Sequence, residues 1–113
     1  MLFRSGGVTQ GIGQALYEHC AYDPDSGQLL SGSYMDYGMP RADNLPRFRI
    51  ALLETPCPGN PVGMKGCGEA GAIAATAAVM NAVTDAIGAR DVPMPASPQT
   101  VWKAMQPMKK AAE

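Results

Sequence analysis

Apolar residues recur along this chain in three rhythms, and each predicts a different element. Between Gly6 and Cys20, the residues Val8, Ile12, Ala15, Leu16 and His19 fall on one face at helical spacing, predicting a first main helix. Between Phe48 and Glu54, Phe48, Ile50 and Leu52 alternate with Arg49 and Ala51, the two-residue rhythm of a strand. From Ala70 to Thr84 no side chain is charged and no polar face appears. That run predicts a second main helix from about Glu69 to Ile87, stopped near Gly88. Ser97–Met105 reads as a short capped helix anchored by Trp102, and Lys109–Glu113 as a frayed tail. Asp23-Pro24-Asp25-Ser26-Gly27 carries the turn chemistry of a hairpin over residues 21–30. The expected class is α+β: two main helices, a short C-terminal helix, a β-hairpin and one further strand.

The second helix changes what the chain is expected to be. A helix that is apolar all round is buried all round. A chain of 113 residues with 6% aromatic residues hardly supplies enough surface to enclose one helix on every side. The chain is therefore expected to pack by hydrophobic contact into a larger body, either other chains or further sequence of its own.

Composition narrows the function. The 13 Gly and 10 Pro form no repeat and imply much loop, while 46% apolar residues argue against disorder. Net charge is −1, which points away from nucleic acid and anionic membrane surfaces. No apolar run has membrane-spanning length and flanks, and Met1–Gly7 does not read as a signal peptide. The 3 cysteines, Cys20, Cys57 and Cys67, are far apart and odd in number, which suits a reducing, cytoplasmic setting. With one histidine, His19, no protein-built metal site is expected; any metal would arrive within a cofactor. His19 and Cys20 read as a helix-end partner and a buried thiol, and Asp36, Arg41 and Asp43 as a loop ion-pair network.

The chemistry-bearing stretch is Gly63-Met64-Lys65-Gly66-Cys67-Gly68-Glu69-Ala70-Gly71. A glycine-rich loop here delivers one carboxylate, Glu69, to a helix N-terminus. Glycine permits positive φ and close approach of something bulky, and free first-turn N–H groups favour a negative partner. On spacing alone, ordinary capping is the commoner reason for a first-turn glutamate. Residues 66–71 also match G-x-G-x-x-G, but a dinucleotide fingerprint needs a strand before it, and Pro56-Cys57-Pro58-Gly59-Asn60-Pro61 is none. Four glycines crowd the first half of the first helix, each costing roughly 1 kcal/mol relative to Ala. They suit a backbone that lies against something, with the Gln10 amide free to hydrogen-bond to it, and they suit helix–helix packing with Gln10 exposed.

Three segments in order resemble the molybdenum hydroxylases: residues 7–16, residues 34–42 and residues 60–71. That family includes xanthine dehydrogenase, aldehyde oxidase and the carbon monoxide dehydrogenase large chain. The resemblance runs from about Gly6 to Met105, to the C-terminal part of the molybdenum-binding subunit. It implies that residues 1–113 are a fragment of a larger molybdopterin-binding domain. It implies that Glu69, the glutamate of Lys-Gly-x-Gly-Glu, is the general base beside molybdenum, taking a proton from the water-derived oxygen that attacks an electron-poor carbon. Gln10 would contact the pterin cofactor, and the backbone of Gly66, Cys67 and Gly68 would pass near it. The substrate class is an aldehyde, an N-heterocycle or CO. The cofactor is a molybdenum–pterin, the cytosine dinucleotide form being one version, with iron–sulfur centres and FAD on partner modules. None is expected on the isolated chain, which is expected to be inactive without the rest of the molybdenum subunit and the iron–sulfur and flavin subunits. The competing expectation is a non-catalytic packing module, homo-oligomeric through its apolar helix.

Overall fold

A computed structural model describes residues 2–106. The predicted tail at Lys109–Glu113 lies outside these residues. Three helices organise the chain: α1 (Leu2–Leu16), α2 (Ala75–Ile87) and α3 (Pro98–Met105), with a single 3₁₀ turn at Ala42–Asn44. The helix α1 begins four residues earlier than its apolar rhythm suggests and ends before His19. Its end has a local cause: the N–H groups of Tyr17 and Glu18 both donate to the Gly13 carbonyl, at 2.9 and 2.8 Å. Cys20 consequently lies outside the helix and is exposed, not the buried thiol expected.

Two more boundaries follow from capping chemistry. The helix α2 stops where predicted, at Gly88 in the left-handed region (φ 66°), whose N–H turns back to the Asp85 and Thr84 carbonyls. The helix α3 starts at Ser97, whose Oγ accepts from the Thr100 N–H at 3.2 Å, with Pro98 in the first turn. Trp102 does not anchor it: the indole is 60% exposed on an apolar groove shared with Leu16, Val83, Ile87 and Met105.

The β half of the expected class is corrected. Among the described residues there is no strand, only one antiparallel bridge, Tyr22 with Leu29. The turn itself closes: Gly27 takes φ 71°, and the Asp23 N–H donates to the Gln28 carbonyl at 2.8 Å. The Asp23 carboxylate accepts from the Ser26 hydroxyl and amide, which hold its carboxyl below the usual range. The flanks have nothing beyond one pair of residues to bond to, so the hairpin does not propagate. Residues 46–56, which hold the strand expected at Phe48–Glu54, have no regular secondary structure.

The buried apolar residues of the described chain are small: Ala15, Val92 and Ala96, the Ala96 N–H donating to the Ala15 carbonyl at 2.7 Å. No residue of α2 is buried, and Ile73 just before it is 73% exposed. The radius of gyration is 18.5 Å, against about 13 Å for a compact chain of this length. An apolar helix left largely uncovered is what a piece of a larger body presents. The Asp36–Arg41–Asp43 network is not how this loop is held: Asp36 accepts from the Ser33 hydroxyl at 2.6 Å, and Tyr37 donates to the Glu18 carboxylate at 2.6 Å.

Candidate active site

The site is built where α1 crosses the turn leading into α2. A methyl group on Gly7 would meet the Gly71 Cα at 3.0 Å, and one on Gly11 would meet the Ala75 Cβ at 2.6 Å. These two glycines, one helical turn apart, are what lets α1 lie directly on residues 71–76. The crossing is latched by Thr76, whose Oγ1 donates to the Gly11 carbonyl at 3.2 Å and lies 3.4 Å from the Gln14 Oε1. Of the two readings of the glycine-rich α1, helix packing through glycine is thus present, with Gln10 exposed beside it.

Glu69 is not a helix cap. The N-cap of α2 is Ala74, which offers no side-chain bond, and residues 70–74 are turns. The Glu69 carbonyl starts those turns by accepting from the Ala72 and Ile73 N–H groups at 2.9 and 3.1 Å. Capping of α2 therefore does not explain this glutamate, and its carboxylate stands exposed at the head of the turns.

The loop before it is set by Asn60. Its side-chain oxygen accepts from the Val62 and Met64 amides at 3.2 and 3.0 Å, and its Nδ2 donates to the Met64 carbonyl at 2.9 Å. Gly63, at φ 68°, closes this turn and accepts from the Cys57 N–H at 3.0 Å. Gly66 and Gly68 differ from it. Neither takes positive φ, contrary to the sequence expectation, and a methyl group at either would meet nothing within 4 Å. Nothing within the described chain requires glycine there, whereas a bulky group approaching the backbone would.

The crossing opens a cleft of about 580 Å³ in which Gln10, Gln14, Gly68, Glu69 and Thr76 converge. Gly66, Gly68 and Glu69 line a second hollow of about 330 Å³, which shares Gly68 and Glu69 with the cleft. Of the residues singled out in the sequence, Gln10, Gly68 and Glu69 thus share one cleft and Gly66 the adjoining hollow. Cys67 lines neither and is exposed. Gln14 and Thr76 were missed. Gln14 lies one helical turn beyond Gln10 on the same face, and Thr76 is the one hydroxyl between Ala70 and Val83; both signals are in the sequence. A primary-amide face, one carboxylate and an uncrowded glycine backbone suit a large polar cofactor better than a bare metal ion. Among the described residues, no three His, Cys, Asp or Glu side chains gather as a metal site.

Comparison with known proteins converges on one class. The molybdopterin cofactor-binding domain family matches over residues 4–46. The nicotine 6-hydroxylase large subunit of Paenarthrobacter nicotinovorans is 46% identical over 88% of this chain and 12% of its own. The carbon monoxide dehydrogenase large chain of Afipia carboxidovorans is 33% identical over 87% of this chain and 12% of its own. Among solved structures, quinoline 2-oxidoreductase from Pseudomonas putida 86 superposes with a TM-score of 0.82 at 42% identity, over 92% of this chain and 14% of that one. The chain belongs, over the segment it spans, to the molybdenum-binding large subunits of the molybdenum hydroxylases. It spans roughly an eighth of the length of these relatives. No described helix is long and apolar enough to cross a membrane.

Proposed function

We propose that this chain supplies the general base, Glu69, and a cofactor-facing amide, Gln10, to a molybdenum hydroxylase site completed by the remainder of the subunit. The observation that carries the reading is that both side chains line one open cleft, although 58 positions separate them in sequence. The molybdenum–pterin group, when bound, supplies oxygen transfer to an aldehyde, N-heterocycle or CO and accepts the electrons, which leave through iron–sulfur and flavin partners. The chain's own part is positional and acid–base. The Gln10 and Gln14 amides each offer a donor and an acceptor to the pterin. The Gly66 and Gly68 backbone leaves room for the group to come close. The Glu69 carboxylate takes a proton from the water-derived oxygen as it attacks carbon, a role that requires one ionised oxygen within hydrogen-bond reach of that proton.

The site needs walls this chain does not provide, since Glu69 is exposed and the cleft is open. The isolated chain therefore does not turn over. In the assembled enzyme, Glu69→Gln keeps the shape and removes the base. It lowers kcat by roughly 10²–10⁴-fold while metal content stays unchanged. Unaltered turnover in that variant would overturn the assignment and leave a packing role for the segment.

A further inference from the structure

Helical threonines usually return their hydroxyl to a carbonyl of their own helix. Thr9 and Thr84 do so here, donating to the Ser5 and Asn81 carbonyls at 2.7 and 3.0 Å. Thr76, the second residue of α2, does not. Its hydroxyl faces two oxygens of α1, the Gly11 carbonyl at 3.2 Å and the Gln14 Oε1 at 3.4 Å. Both oxygens can only accept, so the one hydroxyl proton is shared between them as a three-centre bond. Gly11 and Gln14 stand three residues apart on one face of α1, which lets a single hydroxyl reach both. The Gln14 amide is thereby held by its oxygen. Its Nε2 makes no hydrogen bond to any described residue, and the side chain is exposed in the cleft it shares with Gln10, Gly68 and Glu69. Gln10 differs, because no described residue engages either end of its amide.

We propose that Thr76 is a positioning residue for the cofactor: by holding the Gln14 oxygen, it makes Gln14 a fixed N–H donor to a hydrogen-bond acceptor of the molybdenum–pterin group. The part of Gln14 is thereby narrowed from either polarity to donation, while Gln10 stays free to turn and serves either. A loose amide gives up its rotational freedom when it binds, whereas one already held has given it up beforehand. The proposal rests on the reading of the cleft as the cofactor's, and not on Glu69 as the base.

Cofactor release from the assembled enzyme tests it, followed as molybdenum and pterin lost from the protein during repeated gel filtration. Thr76→Val keeps the shape and removes the hydroxyl, and release should become roughly tenfold faster, the effect of one misplaced hydrogen bond. Thr76→Ser, which keeps a hydroxyl, should release at the parent rate. Gln14→Glu leaves an oxygen for Thr76 and puts a second oxygen where the donor stood, so it should release at least as fast as Thr76→Val. Parent-like release from either Thr76→Val or Gln14→Glu overturns the proposal. Thr76 also latches the crossing, so Thr76→Val is repeated in the Gln14→Ala enzyme, where it is expected to add nothing. A further loss of similar size there would mean that Thr76 acts through the Gly11 carbonyl alone, and overturns the proposal. Gln10→Ala gauges the cleft separately. Faster release from it, with no effect at Thr76 or Gln14, overturns this proposal alone; unchanged release from all three removes the cleft reading as well.

Discussion

The α1–α2 crossing and the stretch from Pro46 to Pro56 lie side by side, and they fold to very different degrees. The crossing is complete: Gly7 and Gly11 bring two backbones together, and Thr76 latches them. The stretch next to it has a strand's rhythm and, among the described residues, no hydrogen-bonding partner. The difference comes from where each element's hydrogen bonds go. A helix pairs its own amides and needs a neighbour only for its apolar face. A strand pairs none of its own, so it exists only where a second strand is supplied. A segment with a strand's rhythm and no second strand among the described residues is therefore coil, while the helices beside it form.

Breaking the crossing is expected to have the largest effect. Gly11→Val drives a branched side chain into Ala75 and the Thr76 backbone, and overpacking of this kind costs about 1–3 kcal/mol. The midpoint of the chain's helical circular-dichroism transition should fall, and turnover of the assembled enzyme with it, since Gln10 and Glu69 share a cleft only while α1 lies on residues 71–76. Gly6 is the matched control. A methyl group there meets nothing within 4 Å. Gly6→Ala should raise the same midpoint, by an amount equivalent to roughly 1 kcal/mol from helix propensity alone. If the two substitutions moved it alike, glycine contact would not be what holds the helices together.

The smallest effect lies at the edge of the crossing, where the Tyr37 phenol donates to Glu18 just after α1. That hydrogen bond pushes the phenol up to about 12. The folded value stands above the ordinary one near 10, so the contribution is fully present below pH 10 and is lost as pH rises through about 12. Alkaline titration followed by phenolate absorbance should show a step near 12 that disappears in Tyr37→Phe. A titration unchanged by that substitution would mean the loop at 33–40 is not tied to α1.

The same contrast explains what the sequence made legible. Helix existence, the Gly88 stop and the Ser97 cap depend on nearby residues, and all could be read directly. The start of α2 could not, because the apolar run continues through the turns at 70–74 without a breaker to mark them. The hairpin was legible only as its turn, where Asp23, Ser26 and Gly27 act locally, while pairing of its flanks stops at one bridge, Tyr22 with Leu29. At the site, Gln10 and Glu69 were marked by motif. Their convergence was not, because it depends on Gly7 and Gly11 meeting residues some 64 positions away. Gly66 and Gly68 were expected to allow positive φ and the close approach of something bulky, and their φ values show no need for the first.

The small interior of Ala15, Val92 and Ala96 has a calorimetric consequence. Heat capacity on unfolding tracks apolar surface newly exposed to water, and here most of that surface is already wet. Melting of the segment by itself should be broad, with a shallow heat-capacity step for its length. The missing increment should reappear as a large negative heat-capacity change when the rest of the subunit docks, so that the thermodynamic signature of folding belongs to assembly.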